Sequence, residues 1–270
     1  MLPNRIPASS VVKNTVRGCL NGKWPSAIVV GLMPVFLYYA FSLILSAIVS
    51  VWGAKAEVLA YTLFFGLMIL FWLPLFYGVI RWFWRLTDMV EDDVSSVFYF
   101  FKTRKLYFRA FKLSGILIFK TAIILLVCLV PYFAVQTFPH IWLYDIFKDD
   151  MPTWAINFIA FKRLFNTVGI LLAAAISLRY YLTPIIAVMD DNLLILEAVH
   201  ISKTLSKKSL SAFVSLCCSN VFWIAISLLL LPQIYTMPFL IGCYVVHSRF
   251  VIKNYNLNLE FYEKNRFNGF

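Results

Sequence analysis

A chain of 270 residues that is 61% apolar and 18% aromatic, with only 14% charged residues and a formal net charge of +11, lies far from the composition of a soluble domain, in which about a quarter of residues are charged. Such a chain is solvated by lipid, and its composition excludes an ordinary water-soluble enzyme or a nucleic-acid-binding domain. The expected fold class is all-α: a polytopic membrane helix bundle of about six transmembrane helices, with amphipathic helices on the cytoplasmic face.

Residues 1–25 read as an amphipathic interfacial segment. Ala8, Val12, Val16 and Leu20 recur at i, i+4 spacing, while Lys13 and Arg17 turn toward water and phosphate headgroups. The first apolar run, 26–51, contains no charge and exceeds the roughly 20 residues that cross a bilayer core. It is too long for a cleavable signal core and ends without a small-residue cleavage pattern, so it is expected to remain as a signal anchor. A second span covers 58–80. After it comes "EDDVSSVFYFFKTRKLYFRAFKL", a segment that opens on acids and closes on bases, which suits an amphipathic helix whose ends complement the backbone dipole.

The third span is 113–135. Lys120 lies about two turns inside it, close enough to the basic end to snorkel to the headgroups. The external connection, 136–163, holds His140, Asp145, Asp149 and Asp150 with Trp142, Tyr144 and Trp154. The aromatics suit an interfacial belt. His140 and Asp145 alone make a weak metal pair, so no metal site is assigned. "DMPTW" reads as a turn followed by a short interfacial helix. The fourth span is 164–189, and "MDDNLLILEAVHISKTLSKK" follows at 189–208. There Leu194, Ala198, Ile201 and Leu205 share one helix face, while Glu197, His200, Thr204, Lys207 and Lys208 gather on another. Asp191, Asn192, Glu197 and His200 form a structural polar motif in this reading, with the acids capping the helix and Glu197 docking it. A fifth span, 210–231, carries Asn220 as an interhelical hydrogen-bonding residue. A sixth, shorter, covers 233–252, and 253–270 is a cytoplasmic tail.

These uninterrupted runs lack the alternation of a membrane barrel, so each span is helical. Pro34, Pro74, Pro131, Pro184 and Pro238 punctuate them and bend helices by freeing carbonyls. Pro74 with Gly78 and Pro238 with Gly242 repeat a P-x-x-x-G spacing that suits bending beside a close backbone contact. The five cysteines show no C-x-x-C spacing and read as small apolar fillers, with neither disulfide framework nor zinc site.

Nineteen of the 24 lysines and arginines fall in the amino-terminal segment, the second-to-third and fourth-to-fifth connections and the tail, counting Arg179 and Arg249 near the adjoining ends of the fourth and sixth spans. Four, Lys55, Lys148, Lys162 and Arg163, fall on the other side. The positive-inside rule therefore places both termini in the cytoplasm, and an even number of crossings requires the termini to share a side. All thirteen acids lie outside the expected membrane cores, which speaks against ion-coupled transport through a mid-membrane carboxylate. No phosphate-cradling glycine loop, H-E-x-x-H or compact Ser/His/Asp set is present, so neither catalytic residues nor a cofactor are expected.

"NGKWPSA" entering the first span, "PLFYGVIR" (Pro74, Leu75, Gly78, Arg81) leaving the second, and "DNLLILEAVHIS" (Asp191, Asn192, Glu197, Ala198, Ser202) after the fourth resemble the bacterial polytopic membrane proteins of domain-of-unknown-function family 975. Those proteins are distantly similar to the membrane domain of some glycerophosphodiester phosphodiesterases. The resemblance implies a six-helix protein of the bacterial plasma (inner) membrane. It supplies no reaction, and the chain departs from the family in its long external connection and its "LPQIYTMP" turn. Three functional readings follow. The first is a non-enzymatic transport-associated, lipid-interacting or partner-binding component. Its contacts with anionic lipid, or with a membrane or cytoplasmic protein, would be made by a collar of Lys13, Arg17, Lys102, Arg104, Lys105, Lys207 and Lys208. The second is a permease subunit docking a cytoplasmic ATPase through "EAVHISK", and the third is a membrane enzyme acting at the cytoplasmic face.

Overall fold

The structure is a computed structural model describing residues 7–52, 57–90, 92–138 and 151–267. His140, Asp145, Asp149 and Asp150, of the connection expected to be external, lie outside the described residues. Among those described, the chain is helical with no strand: α1 (Ser9–Leu20), α2 (Trp24–Trp52), α3 (Glu57–Thr87), a 3-10 helix (Val94–Phe101), α4 (Arg104–Phe138), α5 (Met151–Ser177), a short 3-10 turn (Leu178–Tyr180), α6 (Thr183–Met189), α7 (Ile195–Ser219), α8 (Val221–Ile226) and α9 (Leu230–Phe267). Five helical stretches among the described residues are long and apolar enough to cross a membrane: Trp24–Val51, Tyr61–Thr87, Arg104–Ala134, Lys162–Met189 and Pro232–Tyr255. This is a polytopic helical membrane protein. Its outer face carries side chains such as Phe36, Leu43, Phe65 and Phe119 in the open, as expected where lipid is the solvent.

The chain divides into two compact units, residues 1–113 with 182–270, and residues 114–181. In the first, α2 and α3 run antiparallel: Lys23 and Ser26 face Trp82 and Leu86 at one end, and Tyr38 meets Phe64 further along. α9 packs on both. Two glycines permit close approach. A Cβ on Gly78 would lie 1.8 Å from the Val97 carbonyl oxygen, so α3 accepts the following 3-10 helix directly against its backbone. Gly242 instead admits a side chain: a Cβ there would lie 2.8 Å from Cγ1 of Val16. Both belong to the P-x-x-x-G spacing, and Pro74 and Pro238 both lie inside their helices.

Several local expectations are corrected. The apolar stripe of α1 is not laid on lipid: Val12, Val16, Cys19 and Leu20 are buried in protein, against α9, α7 and α3. An amphipathic stripe specifies only that something apolar covers it, and here the partner is the bundle. The segment after the second span forms a 3-10 helix with Val97 and Phe100 buried, and its basic end, from Arg104, is the first turn of α4. The fourth expected span, 164–189, matches the crossing stretch Lys162–Met189, but within it α5 ends at Ser177 and α6 starts at Thr183. Pro184, in the first turn of α6, explains the restart, because its ring suits a helix start and clashes inside a helix.

The fifth expected span, 210–231, is not one helix. α7 runs from the polar segment at Ile195 to Ser219, stops at Asn220, and continues as the six-residue α8. Asn220 leaves helical geometry (φ −103, ψ 4), and its N–H bonds back to the Leu216 and Cys217 carbonyls, as asparagine does at helix ends. The two pieces still run antiparallel along α9, with Phe213 against Tyr244 and His247, and Trp223 against Phe239. α9 exceeds the expected 233–252 at both ends.

In the second unit, a Cβ on Gly169 of α5 would lie 2.8 Å from the Cys128 carbonyl oxygen of α4, so the two helices touch backbone to backbone there. Ala173, one turn on, is buried as well. Lys120 sits 5.6 Å from the Tyr180 ring and Lys162 5.6 Å from the Tyr132 ring. Both ammoniums therefore lie on aromatic faces. The helix beginning at Met151 is α5 itself, unbroken to Ser177, rather than a separate short interfacial helix.

Candidate functional site

The last four carbonyls of a helix lack partners within it and carry the negative end of its dipole. Three helix ends in the first unit receive a cation from another helix. Arg109 of α4 donates through Nη2 to the carbonyls of Ala187 (3.2 Å) and Asp190 (2.6 Å) and through Nη1 to that of Asp191, holding the end of α6. Arg249 of α9 donates to the Thr87 carbonyl and pairs with Asp88, holding the end of α3. Lys13 of α1 donates to the carbonyl (2.7 Å) and hydroxyl (2.5 Å) of Ser219, closing α7 where it breaks. Lys13 is therefore not turned to headgroups, as its face of α1 suggests; the exposed carbonyl at the break offers the ammonium a closer partner.

The densest polar arrangement surrounds Asp191. The Tyr99 hydroxyl donates to its Oδ2 at 2.5 Å, the Arg81 guanidinium lies 3.5 Å from the same oxygen, and that guanidinium also sits 3.4 Å from the Tyr99 ring centroid. One carboxylate thus joins α3, the 3-10 helix and the turn before α7, while Arg109 grips its backbone. The other carboxylate oxygen, Oδ1, is buried with no partner among the described residues. Burial, then the bond to Asp191, pushes the Tyr99 phenol above its ordinary range, against the opposing charge of Arg81. The phenol therefore remains a donor at neutral pH.

The four residues of the structural polar motif separate. Asp191 belongs to this node. Asn192 is exposed, and its N–H bonds to Asp190 Oδ1 at 2.8 Å, closing an Asx turn. Glu197 and His200 lie on the open face of α7, with no role in the node. The twin acids do not cap α7 with their side chains: Leu194 holds the N-cap position, because Asp190 closes the turn and Asp191 is drawn to Tyr99 and Arg81. In the corresponding earlier segment, Asp93 sits at the N-cap of the 3-10 helix. It accepts the Ser95 hydroxyl at 2.7 Å, which with backbone N–H groups holds its carboxyl below the usual range.

Tyr99, Arg81, Arg109 and Arg249 are the residues that sequence reasoning did not single out. Arg109 and Arg249 entered only as topogenic charge, Arg81 as topogenic charge and as part of "PLFYGVIR" with no partner assigned, and Tyr99 is separated from Asp191 by 92 positions, a distance no local spacing reports. Of the collar, Arg17, Lys102, Arg104, Lys105, Lys207 and Lys208 are exposed. None of the six forms an ion pair with a described residue. Lys102 and Arg104 lie over the Tyr99 and Phe108 rings at 5.9 and 5.5 Å.

Chemically the node is a clamp. Its one hydroxyl, that of Tyr99, is held as a donor on the Asp191 carboxylate beside the Arg81 guanidinium. No group of three or more His, Cys, Asp or Glu side chains gathers among the described residues, and the cysteines are free thiols. Comparison with family models, curated proteins and solved structures returns no match.

Proposed function

We propose that this chain is a non-enzymatic component of the bacterial plasma membrane, with six crossings, both termini cytoplasmic and a basic collar that binds anionic lipid. The fifth crossing in this reading is α7 with α8, broken at Asn220 and antiparallel to α9. The observation that carries the proposal is a division of labour among cations. Arg81, Arg109, Arg249 and Lys13 are committed to helix ends and carboxylates inside the bundle, while Arg17, Lys102, Arg104, Lys105, Lys207 and Lys208 stand outward. Cations that serve packing are bound to partners within the protein; those left outward beside a membrane meet its negative leaflet, where each contributes about 1 kcal/mol. The sequence resemblance to family 975 supports the same placement and adds no reaction.

The test exchanges Lys102, Arg104, Lys105, Lys207 and Lys208 for glutamine together. Phosphatidylglycerol and cardiolipin co-purifying with the chain in mild detergent should fall several-fold, while orientation, read by impermeant thiol labelling of single cysteines, persists. Unchanged recovery of anionic lipid would overturn the collar reading, and labelling of either terminus from outside would overturn the topology.

A further inference from the structure

Two neighbouring hollows lie along the seam between α2 and α3, one polar and one apolar. The polar crevice, about 420 Å³, is walled by Gly22, Lys23, Ser26, Trp82, Asp92 and Asp93. Gly22 opens it: at φ +75 it turns the chain from α1 into α2 in a conformation that suits glycine. The apolar groove, about 530 Å³, is lined by Pro34, Tyr38, Tyr39, Trp72, Phe76 and Met237 among others. On α3 the groove residues Trp72, Phe76 and Val79 and the crevice residues Trp82 and Leu86 fall within an arc of about 120° at 3.6 residues per turn. The hollows therefore follow one another along a single side of that helix. From Ser26 to Tyr39 the rise along α2 is about 20 Å, comparable with an extended acyl chain.

We propose that this seam binds one membrane phospholipid whose headgroup combines a phosphodiester with a primary ammonium. The apolar groove takes an acyl chain, because its walls belong to stretches that cross the membrane and Tyr38, Tyr39 and Trp72 are partly open to the surroundings. The crevice takes the headgroup. Trp82 is 3% exposed, yet its indole Nε1–H is buried without an acceptor among the described residues. A tryptophan N–H in such a place usually finds one. A phosphate oxygen satisfies it, with the Lys23 ammonium adding positive charge from the facing side of the crevice.

Asp92 and Asp93 also line the crevice. Asp92 is shared with Arg85 at 3.2 Å, and Asp93 accepts the Ser95 hydroxyl and is exposed. A primary ammonium donates to these oxygens. A choline headgroup has no N–H to give, and a glycerol headgroup leaves the lipid anionic against two carboxylates. Charge and hydrogen bonding together select the zwitterionic amine over both. This site is separate from the basic collar and shares with it only the placement of α2 and α3 in the bilayer.

The test uses the full chain in mild detergent with equimolar phosphatidylethanolamine, phosphatidylcholine and phosphatidylglycerol of identical acyl chains, and native mass spectrometry to count bound lipids. The wild type should retain one phosphatidylethanolamine in preference to phosphatidylcholine, by about tenfold, as charge-assisted hydrogen bonds lost with choline require. Trp82→Phe, which keeps the ring and removes the donor, should lower that occupancy about fivefold. Val35→Trp, which fills the groove, should lower it by more than about tenfold. Asp93→Asn should narrow the preference over phosphatidylcholine. Equal retention of the two zwitterionic lipids by the wild type, a preference for phosphatidylglycerol at the tightest site, or undiminished phosphatidylethanolamine in Val35→Trp would each overturn the proposal. The wild-type comparison needs no variant to fold. Glutamine at the five collar positions should leave phosphatidylethanolamine bound whatever it does to phosphatidylglycerol; loss of both lipids in that variant would overturn a separate seam site.

Discussion

α9 and the apolar part of α4 both qualify as membrane-crossing helices, but they meet different solvents. In α9 56% of the crossing window is buried inside the protein, in α4 only 11%, although α4 is the more apolar of the two. The inversion has a physical reason. A helix facing lipid must be apolar all round, whereas a helix enclosed by others can carry polar groups that find partners or close packing. α9 accordingly buries Thr236, His247 and Ser248, and the Ser248 hydroxyl bonds back to the Tyr244 carbonyl. The stretch of α4 in the second unit offers Ile118, Phe119, Leu126 and Val127 outward. Apolarity in this chain reports contact with the bilayer; buried polarity reports contact with the protein.

If the first unit is held by close backbone contact and cross-helix clamps, and α4 beyond residue 113 is mainly solvated by lipid, substitutions should separate along that line. The largest effect belongs to Gly78→Val. A side chain there meets the Val97 backbone, and unfolding in mild detergent should show a loss of more than about 3 kcal/mol. Gly115→Ala in α4 meets nothing within 4 Å and should gain up to about 1 kcal/mol from helix propensity. Comparable losses in both would break the distinction. Arg109→Gln comes next, at about 3 kcal/mol, because it strips a charged donor from three carbonyls, whereas Lys120→Gln, which removes only a contact with a ring, should cost about 0.5 to 1 kcal/mol.

Asp191→Asn should cost about 1 to 2 kcal/mol, since the amide still accepts from Tyr99 but no longer pairs with Arg81. It also carries a titration signature. The folded state holds the Tyr99 proton more tightly than the unfolded chain does, so this stabilisation is complete below about pH 10 and is lost as pH climbs through the higher folded value. In the variant, ultraviolet difference titration should find the Tyr99 phenolate forming at lower pH, and the alkaline loss of stability should shrink. The smallest effect is a gain. Met89 follows α3 with φ 58, and its neighbour Val90 donates to the Arg85 carbonyl, the turn at which helices usually place glycine. Met89→Gly should raise stability by at most about 1 kcal/mol, visible as a small rise in unfolding midpoint.

How far the sequence could be read follows the same physics. Bilayer crossings depend on length and apolarity, both local, so α2, α3, α4 and α9 were legible from runs of side chains. The break at Asn220 was not, because one asparagine inside an apolar run reads equally as a helix interior and as a helix end. The stripe Val12, Val16, Leu20 was legible as a buried face, but its partner could not be told from periodicity alone. The candidate site was half visible. Asp191 stood out among twin acids, while Tyr99 and the pairing of Arg81 were hidden, since that pairing depends on the Gly78 contact that brings the 3-10 helix onto α3. Counting cations by side treated Arg109, Arg249 and Lys13 as interchangeable with Lys207, although the first three are fastened to specific carbonyls.

The grip of Arg109 on the Asp191 carbonyl joins positions 82 residues apart and so ties a loop in the chain, one that contains the whole of the second unit, residues 114–181. The entropy lost in closing a loop grows only with the logarithm of its length, so a doubling costs about 0.6 kcal/mol more. Closure therefore sets little limit on the length of the intervening chain; the limit comes from α4 and α5, whose crossings must match the bilayer. Across descendants of this gene, insertion and deletion should therefore collect between α4 and α5 rather than within them, while Arg109 and the stretch from Ala187 to Asp191 are retained on either side: the clamp leaves the link between two crossings as the part of the molecule that evolution can rewrite.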